Sequence, residues 1–224
     1  MKVKNYIGII FSCALISSCV APPDNFPSVP EINFSGVEFV PVQNASDSLI
    51  ISVDFRDAEG DLGLNPRDIN PPFNALNFIR DNGGQLITYG NRPATAPVFN
   101  PLDWAINPLV DNVIVQDTVW VEINPDHNNI FVRFFIKRGG NYQEFQWSAP
   151  PYFTTFNGRF PRILTEDRAR AIEGNIQYGM LSSGWRSIFR NDTIRLDVQI
   201  QDRNLNKSNT ISTPDFTLDQ ITRR

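Results

Sequence analysis

Apolar and polar residues alternate along most of the chain beyond residue 30, which is the pattern of half-buried β-strands. The alternation is clearest in two segments that each run from an Asp-Ser or Asp-Thr pair to an aspartate, 47–57 and 192–202. Helix signals are sparse: only 165–173 has the acidic start and glycine near its end that favour a short helix. Further strands are predicted at 37–42, 113–123, 130–136, 142–147 and 211–218.

The two clearest segments align with each other without a gap, and a shorter relative begins at Asp117. Two explanations remain open, a duplicated immunoglobulin-like module and convergence of amphipathic strands on one pattern. Both predict an all-β fold, an antiparallel β-sandwich of immunoglobulin-like type with long irregular insertions and at most one short helix. The residues predicted to face the core are Leu49, Ile51, Val53 and Phe55 in one copy and Ile194, Leu196, Val198 and Ile200 in the other.

The sandwich is expected to occupy residues 31–224, as one elaborated domain or as two modules that divide near residue 125. Residues 64–112 interrupt the alternation with seven prolines, and only 76–79 and 85–89 are strand candidates there. Long excursions from a compact sandwich are either functional or loosely ordered, and the sequence does not separate these alternatives.

The N-terminus predicts an exported lipoprotein. Lys2 and Lys4 precede an apolar run of about ten residues, the layout of a secretory signal and too short to span a bilayer, which needs roughly 20 residues. Ile16-Ser17-Ser18-Cys19 then resembles the lipobox of bacterial lipoproteins. The resemblance implies that the signal 1–18 is removed and that Cys19 is acylated. Residues 19–30 hold four prolines and predict a tether between the lipid and the sandwich.

Charge and cysteine content narrow the possible partners. Without Lys2 and Lys4 the chain has 18 basic and 24 acidic residues, and it has no basic patch of the kind that neutralises phosphates, so nucleic acid is not an expected partner. Cys13 would leave with the signal, so no disulfide is predicted and the core must supply the stability.

The strand 47–57 runs into an acidic turn in which Asp57, Glu59 and Asp61 occupy alternate positions. Carboxylates at this spacing can direct their oxygens to one point, as a Ca²⁺ site requires. The EF-hand pattern fails, because its glycine and glutamate positions hold Leu62 and Asp68. A calcium site that recruits Asp54, Asp68 or a strand-end aspartate from elsewhere is one alternative. The other is a turn whose glycines adopt positive φ and whose carboxylates cap backbone amides.

The string from Val53 to Gly63, VDFRDAEGDLG, resembles the Asp-x-Asp-Gly-Asp-Leu-Gly signature of poorly characterised outer-membrane lipoproteins of the Bacteroidota. Residues 201–210 are similar to a stretch that those proteins carry before their final strand, and Glu59 stands at a position where they often have aspartate. The resemblance implies an outer-membrane location and a sandwich fold. It implies no established activity.

Aromatic residues form a second candidate site. Six of them fall between Phe145 and Phe160, and four are candidates for stacking on a glycan or filling a partner's pocket: Trp147, Tyr152, Phe153 and Phe156. The same residues can instead fix a long loop to the sandwich.

Catalysis has little support in the sequence. His127 is the only histidine, and no Gly-x-Ser-x-Gly motif accompanies it, so neither a multi-histidine zinc site nor a serine hydrolase is expected. A carboxylate pair of the glycosidase type is not excluded, but no pair is indicated. No organic cofactor is expected.

Three Asp-Ser/Thr-aliphatic triplets resemble the O-glycosylation acceptor of the Bacteroidota and make Ser48, Thr118 and Thr193 candidate sites.

These observations favour a membrane-anchored envelope lipoprotein that acts as a non-enzymatic interaction module or as an accessory subunit of an outer-membrane complex. The alternative is a surface lipoprotein that binds or processes glycans through the aromatic loop.

Overall fold

The computed structural model describes residues 25–165 and 169–223. Cys19, the predicted signal and the first part of the predicted tether lie outside these residues. The chain forms twelve strands and one short helix among the described residues. The strands are Glu31–Val40 (β1), Asp47–Asp57 (β2), Leu76–Phe78 (β3), Trp104–Ile106 (β4), Leu109–Val110 (β5), Val113–Ile114 (β6), Thr118–Ile123 (β7), Ile130–Arg138 (β8), Asn141–Phe145 (β9), Ile172–Ser182 (β10), Thr193–Ile200 (β11) and Ile211–Ser212 (β12), and the helix is Trp185–Phe189 (α1).

Two antiparallel sheets form the sandwich. One has the order β1-β2-β10 and the other has the order β12-β11-β8-β9. Their inner faces share one hydrophobic cluster, which includes residues of β2, β8, β10 and β11 and both aromatic residues of α1. The all-β, antiparallel sandwich predicted from the alternation is therefore confirmed.

The central strands β2 and β11 show why the alternation was informative. Every second residue of β2 from Leu49 to Phe55 is buried, and so is every second residue of β11 from Ile194 to Ile200. The residues between them are exposed or half-buried, so each strand presents one apolar face to the core. The predicted inward faces of both segments are confirmed.

The strand β10 was not predicted, and it overturns part of the helix prediction for 165–173. Ile172 and Glu173 begin β10, where they pair with Asp57 and Arg56 of β2. Only Ile176 and Met180 are buried in this strand, so its alternation is weak and its conformation depends on hydrogen bonding to β2. Residues 166–168 of the predicted helix lie outside the described residues. The helix of the described chain is α1 instead, which places Trp185 and Phe189 in the core.

Other predicted strands are shorter than the alternation indicates. The segment 113–123 divides into β6 and β7, and the segment 211–218 retains β12 and an isolated bridge at Phe216. In contrast, β1 begins at Glu31, six residues before the predicted start, and it buries Ile32 and Phe39. At these positions hydrogen-bonding partners, rather than the local pattern, decide the conformation.

The segment after β2 forms a small unit of its own. The sheet β3-β7-β4 and the hairpin of β5 and β6 surround buried residues of their own: Trp104, Val110, Val119 and Val121. The main sandwich continues on both sides of this unit, because β2 precedes it and pairs with β10, which follows it. In the part of the chain that the structure describes, no helix is both long and apolar enough to cross a membrane.

Candidate functional site

Three aspartates meet where the two sheets of the sandwich end. Asp57 is the last residue of β2, Asp61 lies in the turn after it, and Asp202 follows the end of β11 by two residues. One carboxylate oxygen from each lies within 4.8 Å of the others. We call these residues the aspartate cluster. The alignment of 47–57 with 192–202 predicts comparable strand-end positions for Asp57 and Asp202, and the structure confirms this.

The acidic turn is shaped by Asp57 and two glycines. Asp57 accepts hydrogen bonds through Oδ2 from the amides of Gly60, at 2.6 Å, and Asp61, at 3.2 Å. Gly60 and Gly63 have φ angles of 70° and 91°, a region that residues with a Cβ rarely adopt. The predicted amide-capping role of the turn's carboxylates is therefore present at Asp57.

Phe160, Ile163 and Arg170 hold the acidic turn from one side. The amide of Leu64 donates to the carbonyl of Phe160, the amide of Ile163 to the carbonyl of Leu62, and the amide of Arg170 to the carbonyl of Glu59. The turn packs so closely against this segment that a Cβ on Gly63 would lie 2.2 Å from the carbonyl oxygen of Pro161. The positions of Asp57 and Asp61 are therefore set by the surrounding backbone.

The turn after β11 brings Asp202 to the same place. The amide and side-chain nitrogens of Asn206 donate to the carboxylate of Asp202, at 2.7 and 2.9 Å. Asn204 donates to Asp61 Oδ2 at 2.9 Å, and the amide of Arg203 donates to the carbonyl of Asp61. Leu62 and Asp202 also form an isolated antiparallel bridge. Backbone and side-chain hydrogen bonds thus join the two turns.

The cluster is poorly compensated electrostatically. Asp57 is fully buried, and burial raises its pKa from 3.8 to about 6; the negative charge of Asp61 adds to the rise, and the amides of Gly60 and Asp61 oppose it. Burial and the charge of Asp202 likewise raise the pKa of Asp61, against the opposing charge of Arg203. The ionised cluster is therefore costly to hold in the folded protein.

The structure selects among the ligands that the sequence proposes. Asp57 and Asp61 belong to the cluster, and Asp202 is the strand-end aspartate from elsewhere. Glu59 is outside this group of converging oxygens, although its Oε2 is buried without a hydrogen-bond partner among the described residues. Asp54 instead accepts from Asn175, and Asp68 forms an ion pair with Arg162 at 3.1 Å. Asp202 is far from Asp57 and Asp61 in the chain, and it reaches them because the two sheets pack together and their turns are hydrogen-bonded.

Most of the aromatic candidates pack inward and are not available at the surface. Trp147 is 7% exposed, and its ring contacts those of Phe156, Trp185 and Phe189 with centroids 4.7 to 5.8 Å apart. Phe153 and Phe156 are half-buried, and Tyr152 is 38% exposed. In this arrangement the loop is fixed to the core through Trp147 and Phe156.

The remaining candidates are scattered. Ser48, Thr118 and Thr193 are half-buried residues near the starts of β2, β7 and β11. His127 ends a single 3₁₀ turn, and its Nδ1 lies 2.9 Å from the carbonyl oxygen of Phe73. Neither His127 nor these hydroxyls belong to the aspartate cluster.

Comparisons of the chain with protein-family models, with curated proteins and with solved structures found no match.

Proposed function

We propose that this chain is a lipid-anchored envelope protein of the outer membrane, and that its sandwich serves as an interaction module or accessory subunit of a membrane complex. The anchor rests on the lipobox-like Ile16-Ser17-Ser18-Cys19 and on the proline-rich segment behind it. The observation that carries the interaction role is an exposed apolar surface on the unit that follows β2.

We call four exposed apolar residues of this unit the apolar ribbon: Ile106, Leu109, Val113 and Ile114. Their side chains are 57% to 65% exposed, and Leu109 pairs directly with Ile114 across the hairpin of β5 and β6. Asp111 and Asn112 close this hairpin with positive φ angles, as a tight two-residue turn requires. Arg80 forms an ion pair with Asp111 at 3.2 Å, which links the ribbon's tip to the turn after β3.

A cluster of exposed branched side chains on a short hairpin is a feature of docking surfaces. Burying the exposed part of each side chain against a partner would contribute roughly 1 to 2 kcal/mol. In the free chain they contribute little to folding, because they remain in water. The ribbon is therefore better explained by association than by stability of the sandwich.

If the apolar ribbon binds a partner, making its paired residues Leu109 and Ile114 polar should weaken the complex. In cells that express the full chain, a crosslinker should capture an envelope partner with the wild type. Leu109→Ser combined with Ile114→Ser should weaken that complex at least tenfold, roughly the loss of 1.4 kcal/mol or more. Leu181→Ser is the matched control, since Leu181 is 67% exposed but lies on β10. Equal crosslinking of the ribbon variant and the wild type would refute the proposal.

Lipidation of Cys19 can be tested with Cys13 as the control, because these are the two cysteines of the sequence. Cells fed a labelled fatty acid should label the wild type and Cys13→Ser, whose substitution lies in the predicted signal. Cys19→Ser should carry no label, since the acyl acceptor is gone, and it should leave the membrane fraction or accumulate as the uncleaved precursor. Label retained on Cys19→Ser would contradict lipidation at this residue.

Glycan binding has weaker support. An open groove of about 570 Å³ lies between the aromatic loop and β10, lined in part by Trp147, Tyr152 and Tyr178. However, Tyr152 is the one candidate ring with more than a third of its surface exposed, since Trp147, Phe153 and Phe156 are buried or half-buried. A sugar platform needs an accessible ring face, so we favour the interaction role.

A further inference from the structure

The aspartate cluster contains buried acceptor atoms that the protein leaves without donors. Asp57 is 0% exposed, and its Oδ1 has no hydrogen-bond partner among the described residues. The same holds for Asp61 Oδ1 and Glu59 Oε2, which are inaccessible to solvent as well. An ionised carboxylate in such a place is strongly destabilising unless a positive charge or a donor compensates it.

The protein's own groups supply only part of this compensation. The donors from Gly60, Asp61, Asn204 and Asn206 satisfy other oxygens of the cluster and add no formal charge. Arg203 is close enough to lower the pKa of Asp61, yet it forms no ion pair within 4.0 Å with a cluster carboxylate in the part of the chain that the structure describes. With Glu59 included, four carboxylates and one guanidinium leave three uncompensated negative charges.

We propose that Asp57, Asp61 and Asp202 bind one calcium ion, with Glu59 at the edge of the site. Three carboxylate oxygens within 4.8 Å of one another leave a central point no more than about 2.8 Å from each of them, so a small inward movement gives the 2.3 to 2.6 Å contacts typical of Ca²⁺. Ca²⁺ accepts six to eight oxygen ligands and tolerates irregular geometry, whereas Mg²⁺ requires a near-ideal octahedron and retains most of its water. A site with several fixed carboxylates therefore favours calcium.

The ion would connect the two sheets of the sandwich. Asp57 belongs to the sheet of β1, β2 and β10, and Asp202 follows β11 of the opposite sheet. No disulfide is predicted for the mature chain, so a metal at this end would provide a crosslink by other means. This role is independent of the lipid anchor and of the apolar ribbon.

Direct binding tests the site. The full chain, purified in detergent and treated with a chelator that is then removed, is titrated with calcium in the presence of excess magnesium, and bound calcium is measured by equilibrium dialysis. We expect one calcium per chain, with a dissociation constant no weaker than the roughly 10⁻⁴ to 10⁻³ M of extracellular calcium modules. Asp61→Asn and Asp202→Asn should each weaken binding at least tenfold. Glu122→Gln should leave binding unchanged, since Glu122 is an exposed carboxylate of β7 outside the cluster.

Two outcomes of the binding experiment would overturn the proposal: no saturable binding to the wild type, or binding that both asparagine variants retain at wild-type affinity. Far-UV circular dichroism identifies a variant that has lost its fold. If both variants unfold, the test is the melting temperature of the wild type. It must rise when calcium is added and stay unchanged with the same concentration of magnesium. The absence of that rise would also overturn the proposal.

Discussion

Replacing Asp57 with asparagine is expected to change the stability of the protein in opposite directions with and without calcium. In chelator at pH 7, Asp57→Asn should increase the free energy of unfolding by about 2 to 3 kcal/mol, because it removes a buried negative charge whose pKa is raised from 3.8 to about 6. In saturating calcium the order should reverse, because the wild type gains the binding free energy and the variant has lost a ligand. Thermal melting of both proteins under both conditions measures this reversal.

The sign of the effect follows from the direction of the shift. A carboxyl group whose pKa is raised by folding favours the folded state most fully below its unfolded pKa, near 3.9. That contribution is lost as the pH rises through the folded value of about 6. In chelator the wild type should therefore lose stability between about pH 4 and 6. The stability of Asp57→Asn should fall less over the same range. The pH dependence that this variant keeps is expected from Asp61, whose pKa is also raised. A variant that is less stable than the wild type in chelator would show that Asp57 is compensated by groups of the protein itself.

Gly63→Ala is expected to be among the most destabilising single substitutions in the chain, with a loss of about 3 to 5 kcal/mol. Two effects combine at this residue. Its φ of 91° is unfavourable for any side chain with a Cβ, and the added Cβ would lie 2.2 Å from the carbonyl oxygen of Pro161 and 2.5 Å from Cα of Arg162. Both obstacles are backbone atoms, so relief requires the acidic turn to move away from residues 160–164. Urea denaturation measures the loss.

Gly84→Ala is the matched control for this prediction. Gly84 has a similar φ of 80°, but no atom lies within 4 Å of the position that its Cβ would take. Its substitution should cost only the conformational penalty, about 1 to 2 kcal/mol. Equal losses for the two variants would mean that the contact with residues 160–164 contributes nothing to the stability of the turn.

The alternation of residues was sufficient to predict the strands whose inner faces are fully buried. From Leu49 to Phe55 in β2 and from Ile194 to Ile200 in β11 every core-facing position is apolar, so the period of two is visible in the sequence alone. In β10 the exposed and half-buried positions include Gly174, Asn175 and Gln177, and the strand forms because β2 offers a second hydrogen-bonding edge. Such a strand is defined by its partner, which a single sequence does not reveal.

The residues of the candidate site also fall into two groups, those that the sequence identifies and those that depend on the fold. Asp57 and Asp61 are neighbours in the chain, and the acidic string identified them directly. Asp202 could be proposed only in general terms, as an aspartate at another strand end, because its place in the cluster depends on how the two sheets pack against each other. For Trp147, composition indicated an aromatic loop but could not distinguish a ring that faces solvent from one that is packed against Trp185.

The wide separation of the cluster's ligands along the chain has a consequence for the order of events in folding. Asp61 and Asn204, which share a hydrogen bond, are 143 residues apart, and such distant contacts form only after a large loop has closed. A calcium ion held by both turns would require that loop to be closed, so it would bind the folded chain and slow its unfolding. Its principal effect would be on the lifetime of the native state, the property that sets the working stability of a protein whose unfolding is irreversible.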